Sequence, residues 1–110
     1  MYLFYMKYLI TESQIDKIIF KYLDNQDFIQ IEKSNRIYFV NSEGDEYAQI
    51  KFYTNSRWCI IETKLMIEIV SFFSILNTEA LSAISAWVQK KLGVQPITVE
   101  VYRNIYVHLI

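Results

Sequence analysis

The chain has 110 residues, of which 53% are hydrophobic, 16% aromatic and 21% charged, with a formal net charge of −1. This is the size of one ordinary domain with a buried core, residues 1–110, and the near-neutral balance excludes the broad positive field that draws a protein to phosphate backbones. The single cysteine, Cys59, excludes an internal disulfide and a cysteine-based zinc site, and it predicts a cytoplasmic home in a reducing compartment.

The opening segment, MYLFYMKYLI, is apolar but has neither a basic start nor a small-residue cleavage site, so it makes a poor signal peptide, and Met6 serves equally well as a start. Thr11 followed by Gln14 forms a capping box, with Ile10 as the staple. Ile15, Ile18, Ile19, Tyr22 and Leu23 then recur at helical spacing, which predicts a first helix from about Glu12 to Leu23. Asp24-Asn25-Gln26-Asp27 is a polar stop.

From Phe28 the period changes to two. The segments FIQIE, RIYFV, YAQIKFY and WCIIE, separated by short polar turns, predict four antiparallel strands in a meander. Pairing Ile31 with Ile37 and Ile29 with Phe39 leaves Lys33-Ser34-Asn35 as a three-residue loop, closed by the opposite charges of Glu32 and Arg36. In the next hairpin, pairing Phe39 with Ala48 and Ile37 with Ile50 collects the apolar residues on one face and centres the turn on Glu43-Gly44, where glycine supplies a positive φ. In the fourth strand Trp58, Cys59, Ile60 and Ile61 are all apolar, so either alternate pair suits the core, as in a strand covered on both faces.

Helical spacing returns after Glu62, with Leu65, Ile69, Phe72 and Phe73 on one side of a helix from about Thr63 to Leu76. Asn77-Thr78 caps a third helix bearing Leu81, Ile84, Trp87, Val88 and Leu92, which Gly93 ends and Pro96 keeps from resuming. Ile97 to Tyr102 alternates as a fifth strand, and Ile105 to Ile110 either extends it or folds back around Arg103-Asn104. The predicted architecture is α+β, an antiparallel four- to five-stranded meander sheet with three helices on one face. No charge-free stretch approaches the roughly 18 residues needed to cross a bilayer, so no membrane span is predicted.

The opening LITESQIDKIIFKYLDNQDF, the four-strand middle and the closing helix AISAWVQKKLGV together resemble small uncharacterised proteins of tailed phages and marine metagenomes. The likeness runs over most of the chain from Met6, and the five residues before it depart from that pattern. It implies a viral origin and carries no chemistry.

The carboxylates of NSEGDEYAQI raise the question of a metal or acid–base site. Neither Asp24–Glu32 nor Asn41–Tyr47 places oxygen ligands as a calcium loop requires, so the acids are read as solvation for a hairpin tip. His108 lies in an apolar strand pattern with no carboxylate or cysteine nearby, and Cys59 sits between Trp58 and Ile60, an apolar setting that keeps a thiol inert. Two glycines cannot build a phosphate loop, and the paired acids Glu62 and Glu68, or Glu43 and Glu46, are ordinary for a surface. No catalytic residue, metal site or cofactor is predicted.

The feature with functional content is the outer face of the meander. Arg36, Tyr38, Tyr47, Gln49, Lys51 and Tyr53 form the candidate partner face, with Val40, Phe28, Gln30 and Glu32 beside them. Tyrosine and lysine simply suit a half-exposed strand; the same residues also suit a homo-oligomer or protein interface, or the stacking of single-stranded nucleic acid. Because the apolar share is slightly high for a soluble domain, the chain is read as a non-enzymatic interaction module that self-associates or binds another protein. Single-stranded nucleic-acid binding on the aromatic face is the alternative.

Overall fold

The computed structural model describes residues 12–96 and 98–107. In chain order the elements are α1 Glu12–Asp24, β1 Ile29–Lys33, β2 Arg36–Val40, β3 Tyr47–Ala48, β4 Ile50–Tyr53, β5 Trp58–Glu62, α2 Thr63–Phe73, α3 Asn77–Leu92, β6 Thr98–Tyr102 and β7 Ile105–Tyr106. The fold is α+β, as expected, with three helices and a mostly antiparallel five-stranded sheet ordered β1-β2-β4-β5-β6, while β3 and β7 form a separate ribbon. The cap at Thr11, the staple at Ile10, the first residue of the expected last strand, Ile97, and His108 lie outside the described residues.

All three helices pack on one face of the sheet. Ile15, Ile19 and Leu23 of α1, Leu65 and Ile69 of α2, and Ile84, Trp87 and Val88 of α3 bury themselves against Ile37, Phe39, Ile50, Phe52, Cys59 and Ile61. Trp87 lies over Phe39, ring centroids 5.2 Å apart, and its indole N–H donates to Asp24 at 2.9 Å, which joins α3 to the end of α1. Asp24 also meets the Lys91 ammonium at 3.0 Å. The two hydrogen bonds, Trp87 first and Lys91 second, hold its carboxyl below the ordinary range.

The sheet departs from a clean antiparallel meander in three ways. First, β6 runs parallel to β5, with Trp58 opposite Thr98 and Glu62 opposite Tyr102. The reason is the connection: α2 and α3 carry the chain back along the helix layer, so the next strand starts beside the start of β5.

Second, β1 is slipped by one residue. Ile31 pairs with Tyr38 and Ile29 with Val40, and the turn is the two-residue Ser34-Asn35 inside Lys33 and Arg36, with Ser34 at a φ of +54°. A one-residue slip exchanges the faces of a strand. Ile29 and Ile31 move to the side of Tyr38 and Val40, whereas Phe28 joins the helix side, its ring 6.4 Å from Phe39 and 6.0 Å from Trp87. Seating that large ring in an aromatic trio removes more apolar surface from water than either isoleucine would.

Third, YAQIKFY is broken at Gln49. Phe39 pairs with Ile50 and Ile37 with Phe52, two residues beyond the expected register. Gln49 still bonds to both neighbours, its N–H donating to the Phe39 carbonyl at 2.8 Å and its carbonyl accepting from the Glu62 N–H at 2.9 Å. The break sends Ala48 to the face opposite Ile50, where Tyr47 and Ala48 pair with Tyr106 and Ile105. The chain after β6 thus folds back at Arg103-Asn104, with Asn104 at a φ of +52°.

The tip of the second hairpin is the turn anticipated from NSEGDEYAQI. The Asp45 N–H donates to the Ser42 carbonyl at 3.1 Å, leaving Glu43-Gly44 as the central residues, and Gly44 adopts a φ of +91°. The Asp45 carboxylate accepts from the Ser42 N–H at 2.9 Å and from the Ser42 hydroxyl at 3.2 Å, so it serves the turn itself. β5 is covered on both faces, as its unbroken apolar run suggested, with Cys59 and Ile61 on the helix side and Ile60 on the other.

α2 stops at Phe73, three residues short of the expected end, because Ser74 turns left-handed with a φ of 54°. Leu76 rather than Asn77 or Thr78 is the cap of α3, its N–H held by the Glu79 carboxylate at 2.8 Å. Gly93 ends α3 at a φ of 70°, as expected. No single described helix is long and apolar enough to cross a membrane.

Candidate interaction surfaces

The six residues of the expected partner face do not form one open surface. Tyr38 is 0% exposed and Lys51 6%. They are buried because the face is closed by the chain's own return: Tyr38 and Val40 cluster with Ala48, Ile60 and Ile105, flanked by Ile31, Tyr53, Trp58 and Val107. Arg36, Gln49 and Tyr53 are half-buried, and Tyr47 alone of the six is exposed, on the β3–β7 ribbon. Its ring lies 4.9 Å from that of Tyr106, and a hydrogen bond between the two side chains is the main cause that raises the Tyr47 pKa.

What remains on this face is an aromatic row whose partners are mostly internal. The Lys51 ammonium sits 4.6 Å from the Tyr53 ring centroid and 5.3 Å from that of Tyr38, close enough for cation–π attraction to both. Tyr53 stacks on Trp58 at 5.0 Å, and Trp58 meets Tyr102 edge to face at 5.7 Å. The Trp58 indole N–H donates to Glu100 at 3.2 Å; Tyr102 also hydrogen-bonds Glu100, which is the leading reason its phenol is raised above its ordinary pKa. Among the described residues the Tyr38 hydroxyl has no hydrogen-bond partner.

Among the described residues, Cys59, Glu62 and Glu68 each have a place in the fold. Burial pushes the Cys59 thiol up to about 12, so it stays protonated at neutral pH. Glu62, buried at the end of β5, accepts from the N–H groups of Lys64 and, at 2.9 Å, Asn104; it caps α2 and pins the turn between β6 and β7. Glu68 instead lies against Tyr22, whose phenol is raised to about 12 by burial first and then by its hydrogen bond to Glu68. The acids Glu62 and Glu68 are therefore held by different partners. A polar cleft of about 480 Å³ runs between Glu46, Gln49, Glu62 and Lys64. Among the described residues no three histidine, cysteine or acidic side chains come together as metal ligands.

Exposed apolar side chains occur on α1, β1 and the β3–β7 ribbon, and also on the other flank, around α2 and β6. Ile67 is 60% exposed, Phe72 and Leu76 are also exposed although Phe72 had been placed on the packed side of its helix, and Val101 of β6 is 39% exposed. Between α2, the start of α3 and β6 runs a groove of about 380 Å³, lined by Met66, Ile67, Val70, Leu81 and Val101. β6 ends the sheet and, among the described residues, pairs only with β5. Among the described residues no strand pairs with the backbone N–H and C=O groups of its outer edge, which runs beside that groove. The signal for this surface was Ile67, which falls off the apolar stripe of its helix; the position of β6 at the sheet edge was not visible in its alternation.

No family model matches this chain, and neither a curated protein nor a solved structure is similar to it.

Proposed function

We propose that this chain is a non-enzymatic module that binds another protein, and that its contact surface is the flank where α2 meets β6. The observation that carries this reading is the groove of about 380 Å³, bordered by Ile67 and Val101, beside the outer edge of β6, which pairs with no second strand among the described residues. Apolar side chains left in water at a concave site gain free energy when a partner covers them, roughly 25 cal/mol for each Å² removed from water. The polar clusters elsewhere support the same reading, because Glu62, Asp45 and Asp24 serve the fold itself.

Self-association, through the outer sheet face or the exposed strand edges, is the other form of the same idea, and on the outer face Tyr38 and Lys51 are buried. Single-stranded nucleic acid loses its stacking platform for the same reason: Tyr53 already has Trp58 against its ring and Lys51 over it.

Selection of random peptides on the immobilised protein tests the proposal. Peptides should be enriched that bind the native chain and bind Ile67→Glu at least roughly tenfold more weakly, a loss of about 1.4 kcal/mol. Ile67 is mostly in solvent, so the variant should keep its fold, which circular dichroism checks. Failure to enrich any peptide, or equal binding to both proteins, would refute it.

A further inference from the structure

We infer that the partner is taken up as an extended strand added to the outer edge of β6, with apolar side chains at alternate positions entering the α2 groove and a basic side chain beside Glu100. This deepens the proposed function and rests on it.

The two edges of the sheet are built differently. Natural edge strands are protected by lysine, proline, bulges or covering segments. β1 ends in Glu32 and Lys33, whereas β6 is Thr98-Val99-Glu100-Val101-Tyr102, with no proline and no lysine. Its alternation sorts its side chains: Val99 and Val101 share the face of Cys59 and Ile61, under the helices, and Glu100 and Tyr102 share the face of Ile60. A strand laid along β6 has the same period, so every second side chain would reach the groove at Val101, Ile67 and Leu81, and the others would lie beside Glu100.

The charge at Glu100 selects the occupant. Trp58 donates to its carboxylate from a neutral group, which orients the charge without cancelling it, and the residue is exposed. A cation at the facing position completes a cross-strand pair. A second copy fits worse. Antiparallel pairing of β6 with itself over its full length sets Glu100 opposite Glu100, and sliding by one pair in either direction to avoid this leaves only three residues of β6, Thr98 to Glu100 or Glu100 to Tyr102, in the ladder.

The test uses a soluble peptide alternating valine with lysine, titrated into the full chain. Binding should protect the β6 amides from hydrogen exchange. It should weaken roughly tenfold when glutamate replaces lysine in the peptide, and Glu100→Lys should reverse that preference. Methylating alternate backbone nitrogens on the pairing edge of the peptide should abolish binding. Binding that is lost in Ile67→Glu but leaves β6 exchange unchanged, or that tolerates backbone methylation, would overturn strand addition while leaving the groove as a docking site. Doubled mass by light scattering with β6 protected in the absence of peptide would overturn it in favour of a second copy. Absence of binding by this peptide, together with failure of the peptide selection, would remove both readings.

Discussion

The two faces of the sheet solve the same problem with different materials. Under the helices, aliphatic and aromatic side chains from α1, α2 and α3 meet those of β2, β4 and β5, and the indole of Trp87 delivers its one polar atom to Asp24 at the rim. On the opposite face a smaller cluster is closed, among the described residues, by β3 and β7, and it holds a lysine against two rings and a tyrosine hydroxyl with no hydrogen-bond partner among those residues. A face covered by amphipathic helices can be wholly apolar, whereas one covered by short returning strands is filled by residues with one wet end. Stability should therefore be concentrated on the helix side.

The sharpest way to break this comparison is Trp87→Ala, which should cost roughly 3–5 kcal/mol in chemical denaturation, since a large ring is lost where Phe28 and Phe39 cannot close the gap. Ile105→Ala, the matching truncation on the other face, should cost about 2 kcal/mol, at the low end for a buried isoleucine. Equal losses would mean that the ribbon side is a core in its own right.

Smaller effects sharpen the picture. Asp24→Asn should lower stability near neutral pH by about 0.2–1 kcal/mol, as for an exposed pair, because half of the Lys91 and Asp24 side-chain surface is in water. The pH dependence has a definite sign. The folded carboxyl is held below its ordinary value, so its contribution is fully present above that value and disappears as pH falls through the lowered one. Acid denaturation curves of the native chain and Asp24→Asn should converge there. Tyr38→Phe should be neutral or stabilising, by at most about 1 kcal/mol, because the hydroxyl it removes is buried without a partner. Glu43→Ala, at the exposed turn, should change stability by only a few tenths of a kcal/mol.

Much of this architecture was legible from local pattern. The changes of period from helix to strand, the turn centred on Glu43-Gly44 and the end of α3 at Gly93 are each set by residues close in the chain, and the unbroken apolar run of β5 announced its two-sided cover. The end of α2 and the cap of α3 differ by a few residues for local reasons, whereas the larger differences come from contacts between residues far apart. FIQIE alternates in two phases, Phe28 against Ile29 and Ile31, and only the rings of Phe39 and Trp87 choose between them. TVEVY reads the same in either direction, and its parallel course comes from the helices that precede it. Tyr38 and Lys51 seemed exposed because closure of their face depends on Ile105, more than fifty residues away. The α2–β6 groove was missed for a related reason: no local pattern says which strand will be left at an edge.

The ribbon of β3 and β7 has a consequence for how the chain reaches this state. Tyr47 pairs with Tyr106 across a stretch of chain that holds β4, β5, both crossover helices and β6. Closing so long a loop costs conformational entropy before its contacts give anything back, and distant pairings of this kind slow folding relative to helical bundles. Refolding should then proceed from the three local hairpins, β1–β2, β2–β4 and β4–β5, toward the parallel β5–β6 pair, with the ribbon last. In that order Tyr38 and Ile60 would be the last large side chains to leave water, and pulsed hydrogen exchange during refolding should find the β3–β7 amides protected after those of β2 and β4.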